Sequence, residues 1–149
     1  MHIAVLNGPN LNLLGVREPE RYGTITLADI ETACRARGET LGCSLAWMQS
    51  NDEGSLVAGA QALRGVADGA LINAGALTHT SVALRDALLA VRVPFVEVHL
   101  TNIHAREPMR RRSLLSDLAV GVVAGFGAES YVLGLEGLVA RLTRAGGTG

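Results

Sequence analysis

The sequence predicts a flavodoxin-like α/β fold, in which a doubly wound, five-stranded parallel sheet carries helices on both faces. Two observations lead to this prediction. Apolar runs of strand length alternate with helical patterns along the 149 residues, as in repeated strand–helix units. The apolar runs are also nearly continuous, which is typical of parallel strands buried on both faces. We therefore expect residues 1–149 to form a single domain, with a glycine-rich tail that frays over about 145–149.

Five apolar runs predict the strands of this sheet. They are His2–Asn7, Ser44–Gln49, Gly69–Asn73, residues 94–100 and residues 118–126. Each run has the length and apolar content of a buried strand. Trp47 and Phe126 lie within these runs, and we predict that both are core residues.

Helical patterns separate the strands. Thr26 and Asp29 have the spacing of a capping box, and they predict a helix that runs to about Leu41. Asp52 and Glu53 suit the first turn of a second helix that ends near Gly65. A third pattern covers residues 81–91, and a fourth runs from Glu129 to about Arg144 with one apolar stripe. The Arg-rich residues 101–117 predict a loop with one short helix.

The composition excludes several classes of protein. The chain has no lysine, so all 13 basic residues are arginine, and neither a Schiff base nor a pyridoxal-phosphate linkage is available. A net charge of −1 gives no electrostatic reason to expect binding to nucleic acid or to a membrane surface. Without a spanning helix or a signal-peptide pattern, a cytoplasmic protein is expected. Cys34 and Cys43 lack metal-site spacing and predict reduced thiols.

Polar side chains follow the carboxyl ends of four predicted strands. They lie in residues 7–12, 49–51, 73–81 and 97–102. In a doubly wound sheet these ends meet at one edge, which is where ligands bind. Amides, hydroxyls and imidazoles dominate, and such neutral polar groups suit a ligand that carries several hydroxyl groups.

Glu97 and His99 form the most specific pair of candidate catalytic residues. Their spacing of two places both side chains on one face of a strand. A carboxylate beside an imidazole fixes its tautomer, as an acid catalyst requires. The alternative is an exposed ion pair on an edge strand. The apolar neighbours Phe95, Val96 and Val98 favour a central strand and therefore a function.

Tyr22 is a second candidate, in a loop bounded by glycine and proline. A tyrosine ordinarily loses its proton only near about pH 10, so it acts as a base only beside cations such as Arg17 and Arg21. The alternative is a surface or packing residue.

Other polar residues have weaker support from the sequence. His79 either donates to a substrate hydroxyl or caps the following helix, and Asp86 has the pattern of a solvated helix charge. Arginines 106, 110, 111 and 112 are either carboxylate ligands or a solvated basic surface. His2 and His104 are expected to be structural.

Four separated blocks of these motifs resemble type II 3-dehydroquinate dehydratase, the small dehydroquinase of the shikimate pathway. The resemblance covers residues 3 to about 135. The blocks are residues 7–15 with 17–19 and 22–23; 49–51 with 53–54; 73–75 with 78–87; and 97–102 with 106–108 and 110. The resemblance implies the lyase activity of that family, the anti elimination of water from 3-dehydroquinate through an enolate to 3-dehydroshikimate.

The resemblance implies five catalytic roles. Tyr22 matches the base that removes a proton from the carbon next to the ketone, and Arg17 matches the lid arginine that favours its phenolate. His99 matches the general acid that protonates the departing hydroxyl, and Glu97 matches its orienting carboxylate. Asn10 matches the amide that holds a water near the enolate oxygen.

Further matches imply substrate binding. Asn73, His79 and Arg110 match the groups that hold the ring hydroxyls, while Leu100 and Thr101 match the pair that receives the carboxylate. Thr101 stands where serine is frequent, and both residues offer a hydroxyl.

The resemblance also implies an assembly. Asp86 matches an aspartate that reaches into a neighbouring subunit's site, in a homododecamer built as a tetramer of trimers, without metal or cofactor. The alternative to catalysis is a flavodoxin-like module that binds a small molecule or nucleotide. Against it, the first loop is not a Ser/Thr-rich phosphate cradle, and no acidic cluster follows the first strand.

Overall fold

A computed structural model describes residues 1–16, 20 and 23–147 of the chain. The strands are β1 (His2–Asn7), β2 (Ser44–Gln49), β3 (Gly69–Asn73), β4 (Phe95–His99) and β5 (Gly121–Ala124). The helices are α1 (Leu27–Leu41), α2 (Glu53–Gln61), α3 (Val82–Val91), α4 (Pro108–Arg111) and α5 (Glu129–Gly146). All paired strands are parallel, in the order β2-β1-β3-β4-β5.

Side chains of the central strands alternate between two separate cores. On one face, Ile3, Val5 and Val98 pack with residues of α1 and α5. On the other face, Leu6 and Ile72 pack with residues of α2 and α3. The sheet is therefore covered by helices on both faces, and this arrangement confirms the predicted flavodoxin-like fold.

Side-chain caps mark the starts of the first three helices. The Thr26 side chain accepts from the Asp29 N–H, while the Asp29 carboxylate accepts from the Thr26 N–H, so the predicted capping box is present. Asp52 caps α2 and Ser81 caps α3. Helix α2 ends at Gln61 rather than near Gly65, because the chain tightens into turns over residues 62–66.

The last two strands are shorter than predicted. Strand β4 spans five residues instead of the seven expected for 94–100. Strand β5 begins at Gly121, because the amides of Leu118 and Ala119 bond to the Leu115 carbonyl in a turn. The Val120 N–H then bonds to the Phe95 carbonyl and leads the chain into the sheet.

Two burial predictions need correction. Phe126 is not a core residue, because 65% of it is exposed beyond the end of β5. Gly125 and Gly127 flank it with positive φ angles of 98° and 62°, so the chain turns away from the core there. The edge strands β2 and β5 are only partly buried, unlike the central strands. Trp47 on β2 does pack against the core, half-buried.

Helix α5 is the longest helix, and it extends two residues beyond the predicted end at Arg144. Its buried stripe includes Leu135, Leu138 and Val139, as its periodicity predicts. Among residues 1–16, 20 and 23–147, no helix is both long and apolar enough to cross a membrane. Thr148 and Gly149, from the tail expected to fray, lie outside the described residues.

Both thiols are free and buried. Burial, with smaller contributions from the charges of Glu129 and Glu31, raises the pKa of Cys34 to about 12. Burial also raises the pKa of Cys43. Because a thiol must lose its proton to act as a nucleophile, neither cysteine is suited to that role.

Candidate active site

A cleft of about 180 Å³ opens at the carboxyl end of the sheet, among the segments that follow β1, β3 and β4. Seven of the residues predicted for the site line it, and Arg106 joins them. The seven are Asn10, Asn73, His79, His99, Leu100, Thr101 and Arg110. The structure therefore brings these seven residues together at the strand ends, which is where the rule for doubly wound sheets places ligands.

Close contact between two loops gives the cleft its floor. A Cβ atom on Gly8 would lie 2.2 Å from the Ala74 carbonyl oxygen, so only glycine allows this approach. Gly75 has a φ of +57°, and a Cβ there would lie 2.9 Å from the Pro9 carbonyl oxygen. These two glycines bring the segment after β1 against the segment after β3.

Asn10 is held in position through its backbone. It adopts a left-handed φ of 68°, which asparagine tolerates better than most residues. Its N–H donates to the Asn51 side-chain oxygen over 3.0 Å. Gln49 donates to the same oxygen and to the Gly8 carbonyl. The polar end of β2 thus braces the first loop instead of lining the cleft.

His99 and Glu97 meet as predicted, on one face of the central strand β4. Nε2 of His99 lies 2.6 Å from Oε1 of Glu97, and both residues are buried. Burial alone would raise the pKa of Glu97, but hydrogen bonds from His99, Ser116 and Ser113 outweigh burial and hold the pKa below its usual value. The carboxylate is therefore ionised at neutral pH and accepts a hydrogen bond from the imidazole N–H.

Ser113 and Ser116 are site residues that the sequence analysis missed. Their hydroxyl groups donate to Oε1 and Oε2 of Glu97 over 2.7 and 2.5 Å. Both lie in the Arg-rich segment that was predicted to be a loop. The one signal in the sequence is indirect, because a buried carboxylate requires several donors.

Asn73 faces two ways. It lines the cleft, yet its Nδ2 donates to the buried Tyr131 hydroxyl over 2.9 Å. The Tyr131 hydroxyl in turn donates to Oδ1 of Asn7 over 2.7 Å. Oδ1 of Asn73 accepts the Gly75 N–H. A side-chain amide carries two N–H donors, so one donor of Asn73 is available to a ligand.

His79 is oriented by a backbone carbonyl. Its Nδ1 lies 2.7 Å from the Arg112 carbonyl oxygen, which can only accept, so Nδ1 carries a proton. In the neutral ring Nε2 is then an acceptor. Nε2 is therefore the ring nitrogen of His79 that is left to bond a ligand hydroxyl.

The charged side chains among the described lining residues of the cleft are arginines. Arg106 and Arg110 line it, whereas none of its described lining residues is acidic. Arg110 pairs with Glu107, and Arg106 lies 3.8 Å from the same side chain. The cleft wall thus offers two guanidinium groups that can pair with an anionic ligand.

Two predicted site residues in the described part of the chain, Glu97 and Asp86, do not line the cleft. Arg17 and Tyr22 lie outside the described residues, between Val16 and Gly23. Asp86 lies on the exposed face of α3. Within residues 1–16, 20 and 23–147, no cluster of three metal-binding side chains is found.

Comparisons with known proteins agree on one family. Residues 1–139 match the family model described as Dehydroquinase class II. The chain is 56% identical over 145 residues to 3-dehydroquinate dehydratase of Dinoroseobacter shibae, covering 97% of each chain. It is 58% identical over 146 residues to 3-dehydroquinate dehydratase of Parasynechococcus marenigrum, covering 98% of this chain and 100% of the relative.

Solved structures have the same fold. The crystal structure of type II dehydroquinase from Butyrivibrio crossotus matches with a TM-score of 0.89 at 35% identity, covering 93% of this chain and 97% of that one. The type II dehydroquinase from Propionibacterium acnes matches with a TM-score of 0.88 at 37% identity, covering 93% and 96%.

Proposed function

The chain belongs to the class II dehydroquinase family, and from this premise we propose how its residues catalyse the family's reaction. Its activity is the dehydration of 3-dehydroquinate, which makes it a hydro-lyase. The observation that carries the catalytic proposal is the buried Glu97–His99 pair at the wall of the cleft. We take residues 1–149 as one catalytic domain.

The first chemical step is removal of a proton from carbon. The Tyr22 phenolate, favoured by the cation of Arg17, takes a proton from the carbon next to the substrate ketone. The electron pair of that C–H bond moves onto the ketone oxygen and forms an enolate. Asn10 holds a water that donates to this oxygen, which stabilises the developing charge. The position of Asn10 on the cleft wall supports this role.

The second step expels water. The enolate re-forms the ketone, a carbon–carbon double bond forms, and the bond between carbon and the hydroxyl oxygen breaks. His99 gives its proton to the departing hydroxyl, on the side of the ring opposite Tyr22, so the elimination is anti. The ionised Glu97 supports this role, because it stabilises the imidazolium from which the proton comes.

The remaining cleft residues hold the substrate. We assign the ring hydroxyls to Asn73, His79 and Arg110, and the carboxylate to Leu100 and Thr101. The free N–H of Asn73 and the acceptor nitrogen of a neutral His79 are suited to hydroxyl groups. The guanidinium groups of Arg106 and Arg110 on the cleft wall support binding of a carboxylate substrate.

Catalysis proceeds without a Schiff base. The chain has no lysine, so an imine with the substrate ketone cannot form on a side-chain amine. The donor set of the cleft suits acid–base elimination, for which no metal or cofactor is required.

The enzyme assembles as a homododecamer, a tetramer of trimers, in which Asp86 completes the site of a neighbouring subunit. The exposed face of α3 supports this proposal. Asp86 lies there with Val82 and Leu89, which are 58% and 48% exposed. Exposed apolar residues around an acidic group are typical of a surface that another chain covers. The neighbouring Arg85 is already paired with Asp117.

We place this enzyme in the cytoplasm and in the shikimate pathway, which leads to chorismate and the aromatic amino acids. The bacterial relatives named 3-dehydroquinate dehydratase support this placement. Relatives from Neosartorya fischeri and Aspergillus fumigatus carry the name catabolic 3-dehydroquinase 1, at 55% identity over 134 residues. The biosynthetic assignment is tested in a mutant strain that lacks 3-dehydroquinate dehydratase. When this strain expresses the chain, it should grow on medium without aromatic amino acids.

A direct assay tests the activity. Purified protein is mixed with 3-dehydroquinate, and the ultraviolet absorbance of the conjugated enone product is followed. We expect a steady rise. Enzyme that has been treated with borohydride in the presence of substrate should keep its activity on fresh substrate, because no imine is available for reduction. No absorbance change at high enzyme concentration would overturn the proposal, and inactivation by borohydride would overturn the mechanism.

A further inference from the structure

We propose that Ser113 and Ser116 are positioning residues that hold Glu97 as an ionised acceptor and so keep the proton of His99 directed for catalysis. The inference rests on the proposed role of His99 as general acid. It adds two residues, from a segment outside the sheet, to the machinery of that acid.

The carboxylate of Glu97 is satisfied entirely by protein groups. Oε1 accepts from Nε2 of His99 and from the Ser113 hydroxyl over 2.6 and 2.7 Å, and Oε2 accepts from the Ser116 hydroxyl over 2.5 Å. Glu97 is 0% exposed. Three donors on two oxygen atoms stabilise the charge in a site without bulk water.

The hydroxyl of Ser113 can only act as a donor toward Glu97. Its oxygen accepts the N–H groups of Leu115 and Ser116 over 3.0 and 3.1 Å. Both lone pairs are thereby used, and only the O–H remains for the contact with Glu97. Ser113 is therefore a donor to Oε1 of Glu97. A proton on Oε1 that pointed toward Ser113 would be repelled by the Ser113 O–H.

The negative charge on Glu97 determines which ring nitrogen of His99 carries the proton that faces it. An ionised carboxylate only accepts, so the His99 nitrogen facing it, Nε2, must carry a proton. The proton exchanged with substrate is then the one on Nδ1, which has no hydrogen-bond partner in the described part of the chain. Loss of either serine weakens the hold on Glu97 and, through it, the orientation of the His99 ring.

The segment that carries both serines is itself anchored. The Leu114 N–H donates to the Thr78 carbonyl over 2.8 Å, and Arg85 donates to the Leu114 carbonyl over 2.7 Å. Leu115 is 0% exposed in the core beneath α3. The two hydroxyl groups are therefore held in place before substrate binds, as an effective positioning group requires.

We call Ser113 and Ser116 the clamp of Glu97. Other charged groups near this clamp do not bond Glu97. Arg85 and Asp117 pair with each other on the neighbouring segment. The cleft-lining His79, Arg106 and Arg110 have partners elsewhere, at the Arg112 carbonyl and at Glu107. Among the residues described, His99 is the one titratable group bonded to Glu97. A change in the midpoint of the Glu97 titration when a serine is removed therefore measures the effect of the serine hydrogen bonds on Glu97.

The test compares Ser113→Ala and Ser116→Ala with Ser116→Thr, which keeps the hydroxyl, and with Ser130→Ala. Ser130 is a matched control, because it is also buried but bonds to the Phe126 N–H instead of Glu97. The midpoint of the Glu97 carboxyl titration is measured by carbon-13 NMR. We expect it to rise by roughly one to two pH units in each Ser→Ala variant at the clamp. It should not move in Ser130→Ala.

Turnover supplies the second measurement. We expect kcat to fall about tenfold in the clamp variants, with KM little changed, since one hydrogen bond to a charged group is lost away from the substrate. The acid limb of kcat should move to higher pH, and Ser116→Thr should restore both quantities. A Glu97 midpoint that stays in place, or one that rises while kcat and its pH profile stay unchanged, would overturn the proposal.

The experiments distinguish a failure of the proposed function from a failure of the proposed role of Ser113 and Ser116. The NMR titration needs no turnover, so an inactive wild-type protein would contradict the proposed function while the clamp is still measured. Ser116→Ala provides the second variant where Ser113→Ala does not fold, because the Ser113 oxygen also holds the local turn. Urea unfolding of each variant beside Ser130→Ala separates loss of stability from loss of positioning.

Discussion

The amide of Asn73 donates to the hydroxyl of Tyr131 over 2.9 Å, deep beneath the cleft. The same hydroxyl donates to Asn7 over 2.7 Å, so a single phenol joins the ends of β1 and β3. Burial raises the pKa of Tyr131, even though the hydrogen bond from Asn73 opposes this rise. The phenol therefore stays neutral and keeps its proton for Asn7, and the orientation of Asn73 in the cleft depends on a residue outside the cleft.

Tyr131→Phe should weaken both the fold and substrate binding. It leaves the buried Oδ1 of Asn7 and one N–H of Asn73 without their partner, which costs about 1–3 kcal/mol in the free energy of unfolding. We expect KM for 3-dehydroquinate to rise severalfold. Urea unfolding and steady-state kinetics provide the measurements. Trp47→Phe is the control, because Trp47 stacks on Tyr131 at 5.9 Å without joining these hydrogen bonds. An unchanged KM would make Tyr131 purely structural.

His99→Ala should lose about 10²- to 10⁴-fold in kcat, the usual contribution of a general acid. The reason is that the departing hydroxyl then leaves without a proton donor. His104→Ala is the matched control, because His104 is exposed and does not line the cleft. Steady-state assays on the purified variants decide the outcome. Equal rates for His99→Ala and wild type would remove the acid role.

Tyr22→Phe should abolish dehydration and leave substrate binding largely intact. The substitution keeps the aromatic ring and removes the oxygen that takes the proton, so kcat should fall without a matching loss of affinity. Calorimetry measures binding of 3-dehydroquinate, and exchange of the substrate proton with deuterium measures the first step. Substantial turnover by the variant, or continued exchange, would contradict the base assignment.

Mixing two inactive variants tests the proposed role of Asp86 between subunits. Asp86→Ala and Tyr22→Phe should each be poorly active alone. In oligomers assembled from both, some sites combine a native Tyr22 with a native Asp86 from a neighbour. Random assortment restores about one quarter of wild-type activity, measured after joint refolding. The native mass should approach twelve times the 15.6 kDa of one chain.

A second mixture serves as the control for this experiment. Tyr22 and His99 are assigned to the same chain's site, so Tyr22→Phe mixed with His99→Ala should remain inactive. Restored activity in that mixture, or none in the first, would rule out the proposed sharing of the site. A monomeric, fully active protein would do the same.

The pH dependence of stability should report on Glu97. Its folded-state pKa lies below the usual value of 4.5, so the ionised pair contributes stability above pH 4.5 that is lost as the pH falls through the folded value. At pH 7 we expect wild type to be more stable than Glu97→Gln by roughly 1.5–3 kcal/mol. Urea unfolding at fixed protein concentration should show this gap narrowing below pH 4.5. A gap that is constant from pH 7 to pH 3 would contradict the assignment.

Much of the fold could be predicted from local patterns. Strands β1, β2 and β3 have the predicted bounds, and the Thr26 capping box is present. These features depend on residues next to each other in the chain, so periodicity and capping chemistry identify them. The prediction for Phe126 was wrong because an apolar residue within a run gives no information on where the strand ends.

Part of the candidate site was also predictable. The spacing of two placed Glu97 and His99 on one face, and the strand-end rule brought Asn10, Asn73 and His79 to one edge. Partners distant in sequence were not predictable in the same way. Ser113 and Ser116 lie 16 and 19 residues from Glu97, and no local pattern marks a hydroxyl as its donor.

The alternation of strands and helices and the polar groups at the strand ends follow from the amino-acid order alone, and so does the absence of a lysine that could form a Schiff base. Which groups satisfy those polar residues depends on the folded chain. Tyr131 reaches Asn7 across 124 positions of the chain. Period and composition are local properties, whereas the partners of buried polar groups depend on how distant segments pack, because burial removes the water that would otherwise satisfy them.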